Sequence, residues 1–364
     1  MSMIGVAGLA LITLLPAAGH VLTSSPLISQ NENRYLAAFP KHAENLRDYT
    51  AKVDRYVNDN FGFRHEAIKA ERKIRRSLGD GGGSVYPGRD GWLFWSESLI
   101  WDSYLGRSNF SEHTLERLNS HLSRLNTRSA QIGAHFMATI VPNKVSIYPE
   151  YSPHRFGEKS ERNFHDYFFK QDHAAGYPVV NLKPVLLNLK KTDQVYFKTD
   201  THWTWRGAFE ANAHIINRLS KTMPEITALT AEKLPENHTP EFRGDLSKFM
   251  AQNPSEDLYD IEVPDVPGFL RDVKGDESLP AEWKTQIHQR AVENPKTIVI
   301  IGDSFSLFYV KPLKHSFDKI VIIHHKLGDY SVDEVFSYNP DVVLFSPVER
   351  YVELVASKRD LEKP

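Results

Sequence analysis

The chain has 364 residues, 41% of them hydrophobic and 25% charged, with 20 Gly and 21 Pro, a balance that builds a sizeable core and excludes disordered and collagen-like classes. Forty-four Lys+Arg against 46 Asp+Glu leave a formal charge of −2, so no basic field draws nucleic acid by its phosphates and no nucleic-acid partner is expected. Cysteine is absent, which removes disulfides, a thiolate nucleophile and thiolate metal sites.

Residues 3–18 (MIGVAGLALITLLPAA) are apolar, and no acid or base appears before Glu32 and Arg34. That length falls between a signal-peptide core and a bilayer-spanning helix, which needs about 20 residues. Ala17-Ala18-Gly19 supplies small residues for a cleavage site, but nothing basic precedes them. Residues 1–34 are therefore read as a signal or anchor segment with its linker, which places the remainder outside the cytoplasm, in the periplasm at the inner membrane. A buried N-terminal helix is the alternative.

From residue 35 to about 77 the pattern is helical, with Leu46, Tyr49, Val53, Tyr56, Val57 and Phe61 at three- and four-residue steps. Gly-rich residues 79–84 break it. Residues 85–95 (VYPGRDGWLFW) predict two short strands around a Gly-Arg-Asp-Gly turn. Ser111 is positioned to cap a helix whose Leu115, Leu118, Leu122 and Leu125 share a face. A buried strand at 135–141, a helix at 164–175, a strand at 178–182 and a helix at 205–219 follow. Residues 224–291 are polar and Pro-rich and read as an insertion with little regular structure of its own. Three apolar strands, 297–301, 319–324 and 341–345, close the chain. Alternating β and α with fully apolar strands predicts an α/β fold with a mainly parallel sheet covered by helices on both faces, in one domain spanning 35–364.

Ser304 stands just past the TIVII strand in Gly302-Asp303-Ser304-Phe305-Ser306. Open α/β sheets carry their ligand sites at that edge, and a serine on such a turn is exposed beside helix-start N–H groups. The same residues also fit a plain turn with Ser304 as helix N-cap. A serine needs a base held by a partner. Sixteen histidines make any single one uninformative, but Thr199-Asp200-Thr201-His202-Trp203-Thr204 lies where an extended segment meets the 205–219 helix. Residues two apart on an extended chain point to the same side, so Asp200 faces His202. An Asp N-cap beside a surface His is the competing reading. A metal held by Asp200 and His202 with His324 or His325 lacks a His-Glu-x-x-His or comparable cluster, and neither a metal nor another cofactor is expected. Trp92, Trp95, Trp101, Trp203 and Trp205 offer faces for sugar rings, although such residues are mostly core; Trp203, beside His202, is the first choice at a cleft.

Gly-Asp-Ser-Phe after a strand resembles the nucleophile block of SGNH hydrolases, here with the Asp-x-His element upstream of it. That order is similar to the alginate O-acetyltransferase (AlgX/AlgJ) family and its DHHW-type relatives. Four further stretches carry the likeness: 56–64 (YVNDNFGFR), 88–94 (GRDGWLF), 141–150 (VPNKVSIYPE) and 349–351 (ERY). With about 60 residues after Ser304, the chain looks closer to the single-domain AlgJ type. The resemblance implies an SGNH hydrolase-like fold and an O-acetyltransferase in which Ser304 accepts the acyl group, His202 is the base and Asp200 its orienting partner. Tyr351, Arg350, Lys144 and Trp203 become candidates for oxyanion or acceptor contacts. The implied partners are a secreted polysaccharide acceptor such as alginate and a membrane-bound O-acyltransferase that supplies acetyl. An acetylesterase of the same fold and a non-catalytic scaffold of an envelope export complex are the alternatives.

Overall fold

A computed structural model describes residues 28–29, 34–37, 39–40, 46–60 and most of the chain from 83 to 357. Residues 1–27, 30–33, 38, 41–45, most of 61–82, 109–110, 171–175, 231–233, 251, 276, 278, 280–282 and 358–364 lie outside the description. The apolar segment at 3–18 is among the latter, so the export reading falls outside the described residues. No described helix is long and apolar enough to cross a membrane.

Two units meet at Ser84/Val85: residues 1–84 with 249–251, and residues 85–248 with 252–364. The boundary drawn from the sequence, at 34/35, lies inside the first unit. In that unit helix α1 (Leu46–Asn60) realises part of the predicted helix. Its C-terminal end is tied to an upstream strap, for Asn60 Nδ2 donates to the Ala37 carbonyl at 2.7 Å and Asp59 accepts from Ala37 N–H at 2.8 Å.

The second unit begins with the predicted hairpin, β1 (Val85–Pro87) and β2 (Leu93–Trp95), paired from Val85↔Trp95 to Pro87↔Leu93. After α2 (Ser98–Tyr104) comes α3 (Glu112–Gln131), whose first turn is capped as expected by Ser111 Oγ, an acceptor for Thr114 N–H. Then follow β3 (His135–Thr139), α4 (Lys144–Ile147), α5 (Phe164–Lys170), β4 (Val179–Val180), α6 (Lys183–Leu189) and α7 (Trp205–Leu219). Strands β5 (Glu236–Phe242), β6 (Glu256–Ile261), β7 (Phe269–Lys274), β8 (Thr285–Arg290) and β9 (Thr297–Gly302) lead to the Ser304–Tyr309 3₁₀ turn. The chain ends with α8 (Val310–Leu313), β10 (Lys319–His324), α9 (Val332–Ser337), β11 (Val342–Ser346) and α10 (Glu349–Ser357).

The main sheet has seven strands in the order β4-β3-β11-β9-β10-β8-β7. The first five are parallel and β8 and β7 are antiparallel. Side-chain alternation sorts the apolar strands between two cores. Ile298, Ile300, Ile320, Ile322, Val342 and Leu344 join one core with α7, while Val299, Ile301, Val321, Ile323, Val343 and Phe345 join the other with α3 and α10. A strand buried on both faces has no polar side to show, which is why β9 reads as an unbroken apolar run.

The segment 224–291 corrects the sequence reading. It contains four strands, not irregular chain: β5 and β6 form a hairpin, and β7 and β8 extend the main sheet beyond β10. The physical reason is half-coverage. Strand β8 keeps its first residues buried and its last exposed, and β7 is exposed along nearly all its length, so neither carries the apolar run that marked the inner strands.

Topology locates the site. After β9 the chain moves to β10 on one side and then crosses to β11 on the other. The 3₁₀ turn after β9 packs Phe305 and Tyr309 into the first core, and α10 after β11 packs Val352 and Val355 into the second. The connections leave on opposite faces and open a crevice at the carboxyl ends of β9 and β11, where open α/β sheets bind ligands.

Candidate active site

Ser304 stands in that crevice at the first position of the 3₁₀ turn. Its neighbour Asp303 is the cap: Asp303 Oδ1 accepts from Phe305 N–H at 3.1 Å, so Ser304 is not the N-cap that a plain turn would make it. The second Asp303 oxygen accepts from Val348 N–H at 2.7 Å, beyond the end of β11, and from His325 Nε2 at 3.3 Å, beyond the end of β10. One buried carboxylate thus ties together the exits of three neighbouring strands. Burial raises its pKa, but the bond and charge of His325, the charge of Arg350 and the Val348 N–H outweigh burial and hold it at about 2.

His202 reaches the serine from an irregular loop. Phe197 N–H donates to the His202 carbonyl at 3.2 Å and Thr204 N–H to that of Val195 at 3.0 Å, closing a six-residue bend between Tyr196 and Trp203. Asp200 Oδ1 accepts from the main-chain N–H of His202 at 2.9 Å and from its ring Nδ1 at 2.8 Å. This is an Asx turn, not the extended pairing the sequence suggested, and it orients the ring with the same oxygen that fixes the backbone. The helix cap is Thr204, which accepts from Gly207 N–H, so Asp200 is free of that role. With Nδ1–H given to Asp200, Nε2 accepts the Ser304 hydroxyl at 2.8 Å. Ser304, His202 and Asp200, 102 and 2 residues apart in sequence, form one continuous relay. Burial pushes the Asp200 carboxyl up, but its bonds to His202 and to Asp245 N–H prevail and hold it at about 2.

The loop is clamped from two sides. Lys144, at the start of α4, is buried and donates from Nζ to the carbonyls of Phe197, Lys198 and Asp200 at 3.1, 3.2 and 2.7 Å. An ammonium has three hydrogens, and all three are used. Lys144 therefore positions the Asp200 loop and is not available as an oxyanion or acceptor donor, which corrects that assignment. Burial draws its pKa down, partly offset by Asp245, Asp200 and Glu256, to about 8. From the other side, buried Glu256 of β6 accepts from Thr199 N–H and Oγ1, both at 2.8 Å, and from Lys198 N–H at 3.0 Å. The Gly244-Asp245 turn lies against Asp200, with Asp245 N–H donating to Asp200 Oδ2 at 2.7 Å. A Cβ on Gly244 would come within 2.6 Å of the Asp200 main-chain nitrogen, closer than real Cβ atoms approach, so only glycine fits there.

Trp203, proposed from sequence for the cleft, is fully buried and packs against Phe305 and Tyr309 at ring separations of 5.6 and 5.3 Å. It belongs to the core on the α7 side of the sheet, while His202 beside it reaches Ser304. Trp92 and Trp101 are core as well, whereas Trp95 and Trp205 keep partial exposure. Arg350 and Tyr351 open α10. The Arg350 guanidinium lies 5.4 Å from the Phe305 ring centre, beside Glu97 at 3.3 Å, and donates to Asn143 Oδ1 at 3.4 Å. The Tyr351 hydroxyl donates to Glu97 at 3.4 Å, and burial raises it to about 12. Both are turned to Glu97; Arg350 borders the site through Phe305, and the Tyr351 ring lies 5.4 Å from that of His325.

The metal set of Asp200 and His202 completed by His324 or His325 is not assembled. His324 stacks on Trp283 and His325 is bonded to Asp303, away from Asp200 and His202. Among the described residues, Asp200, His202 and Asp245 do bring ligand-type atoms within 4.8 Å of one another. Yet both nitrogens of His202 and both oxygens of Asp200 are already engaged within the relay and its clamp.

Asp245, Gly244, Glu256 and the Asp303–His325 pair were not singled out from the sequence. For Asp303 the signal was at hand, inside the Gly-Asp-Ser motif. For Gly244, Asp245 and Glu256 it was hidden in the polar segment read as irregular.

A family model described as SGNH hydrolase-like domain, acetyltransferase AlgX, matches residues 85–335. A Pseudomonas putida protein described as "Probable alginate O-acetylase AlgJ" is 29% identical over 182 residues, covering 48% of this chain and 44% of the relative. One from Pseudomonas fluorescens with the same description is 25% identical over 333 residues, covering 84% and 77%. The first of these alignments thus takes in under half of the relative's length. Bacillus cereus PatB1 with a sulfonyl adduct has a similar fold, with TM-score 0.54 at 16% identity over 75% of this chain and all of that one.

Proposed function

Because the chain belongs to the SGNH hydrolase-like family of the acetyltransferase AlgX, we propose that it is an O-acetyltransferase working through an acetyl ester on Ser304. The observation that carries the reading is the unbroken Asp200–His202–Ser304 relay at 2.8 and 2.8 Å in the crevice of that fold. Ser304 Oγ attacks the donor's acetyl carbonyl as its proton passes to His202 Nε2, and Asp200 stabilises the imidazolium. The imidazolium returns the proton to the leaving group. A hydroxyl of the acceptor then gives its proton to His202 and attacks the Ser304 ester; the Oγ–C bond breaks, His202 returns that proton to Ser304 Oγ, and the acetylated acceptor leaves.

The relatives are described as alginate O-acetylases, which supports a secreted, alginate-like polysaccharide as acceptor. In this reading the reaction runs outside the cytoplasm, residues 1–34 export or anchor the protein, and a membrane-bound O-acyltransferase supplies acetyl. The test incubates the protein with a chromogenic acetyl ester and follows turnover together with intact mass. An acetyl adduct on the wild type that is lost in Ser304→Ala supports the reading; equal turnover in both overturns it. An oligosaccharide acceptor then divides the outcomes, since acetylated sugar supports transfer whereas acetate alone makes the protein an esterase.

A further inference from the structure

We propose that Asp245 is a second carboxylate of the relay, holding negative charge beside the His202 imidazolium while the proton is in transit. The proposal rests on the acyl-transfer reading of His202 as base. Asp245 is a positioning residue: it acts through Asp200 and His202 and touches no reacting atom.

Its placement is built, not incidental. One carboxylate oxygen of Asp245, one of Asp200 and a ring nitrogen of His202 lie within 4.8 Å of one another. Asp245 Oδ1 accepts from Thr201 N–H at 2.7 Å and from Thr201 Oγ1 at 3.1 Å, while its own N–H donates to Asp200 Oδ2 at 2.7 Å. Asp245 therefore grips the residue between Asp200 and His202 and Asp200 itself, from a turn that Gly244 alone permits. Two carboxylates face one imidazole, with the single buried ammonium of Lys144 near them both. Lys144 gives its hydrogen bonds to the Asp200 loop carbonyls while its charge attracts Asp245 as well as Asp200, Glu256 adds a further negative group behind Thr199, and Arg243 is turned to Glu241 and the Asn253 carbonyl. Burial and the charge of Asp200 push the Asp245 carboxyl up, and the charge of His202 pulls it down. A proton arriving on His202 is what makes the adjacent carboxylates compatible. At under 5 Å a carboxylate's charge attracts the imidazolium that the proton transfer creates. No atom is exchanged with Asp245: the proton moves from Ser304 Oγ to His202 Nε2 as the Oγ–C bond forms.

The test follows the His202 ring by NMR against pH in the full chain, its signal identified by its loss in His202→Gln. Asp245→Asn keeps an oxygen for Thr201 and removes the charge, so the imidazole midpoint falls by about one pH unit and ester turnover falls about tenfold. Thr201→Val keeps the charge and removes a hydrogen bond, so the midpoint stays where it is. Should Asp245→Asn fail to fold by circular dichroism, Asp245→Ser takes its place. An unmoved midpoint in the charge-removing variant, or an equal shift in Thr201→Val, overturns the proposal. If the wild type has no ester turnover the acyl-transfer reading fails, while the ring titration still decides the role of Asp245.

Discussion

Ser304 and His202 face each other across 2.8 Å, yet the chain delivers them by opposite means. Ser304 arrives at the end of β9, a strand buried on both faces, and its turn is held by a side chain one residue away. His202 arrives on a bend with no ladder of its own, held by Lys144 from 56 residues upstream of Asp200's neighbourhood and by Asp245 and Glu256 from the β5–β6 hairpin. The nucleophile is placed by regular structure; the base is placed by side chains that replace it. Buried main-chain groups must be paired, and where no sheet pairs them, a lysine and two acids do. The base side of the site is therefore the side that remote substitutions should damage.

The largest effect expected is on the nucleophile itself. Ser304→Ala should lower acetyl-ester turnover by about 10³-fold or more with an unchanged melting temperature, because the hydroxyl takes part in the relay and not in the fold. Gly244→Ala breaks the comparison from the other side. It forces a methyl against the Asp200 backbone, and turnover should fall about 100-fold, with reaction of Ser304 toward a small sulfonyl reagent slowed as well because it uses the same base. Unchanged turnover would mean that the Gly244 turn does not support the base side. Glu256→Gln should cost about 1–3 kcal/mol of stability, read by urea unfolding, and about tenfold in turnover, since Thr199 N–H loses a charged acceptor.

The effect confined to low pH, and so smallest near neutral pH, sharpens the nucleophile side. Asp303 has its folded pKa depressed to about 2, below the ordinary carboxylate value, so its contribution to stability is present above about pH 4 and is lost as pH falls toward 2. Two pH units correspond to roughly 2–3 kcal/mol. Urea unfolding at pH 5, 4, 3 and 2 should show a fall that is shallower in Asp303→Asn. An identical slope in the variant would remove Asp303 from the account.

Much of this was legible beforehand for a physical reason. The strands at 297–302, 319–324 and 342–346 carry continuous apolar runs because both their faces are buried, and the Ser111 and Trp205 helices carry stripes at helical spacing because one face is. Gly-Asp-Ser after such a strand can be placed in the crevice from sequence alone. The segment 224–291 was misread for the converse reason: its strands are half-exposed or at an edge, so composition marks them as loop. With that misreading went Asp245 and Glu256. Trp203 was misassigned because adjacency to His202 in sequence says nothing about which side of the chain faces the cleft, and it faces the core.

By itself the sequence determined the α/β rhythm, the placement of Ser304 at a strand end and the pairing of Asp200 with His202, because each depends on residues within a few positions of one another. Only the tertiary structure decided that these two elements meet, that Lys144 is a clamp, and that Asp303 caps the serine turn while tying three strand ends together. It also decided that Asp245 adds a second carboxylate beside the base. Apart from the local Asp303 cap, those are contacts across 22 to 102 residues, which burial and hydrogen bonding select and no local pattern records.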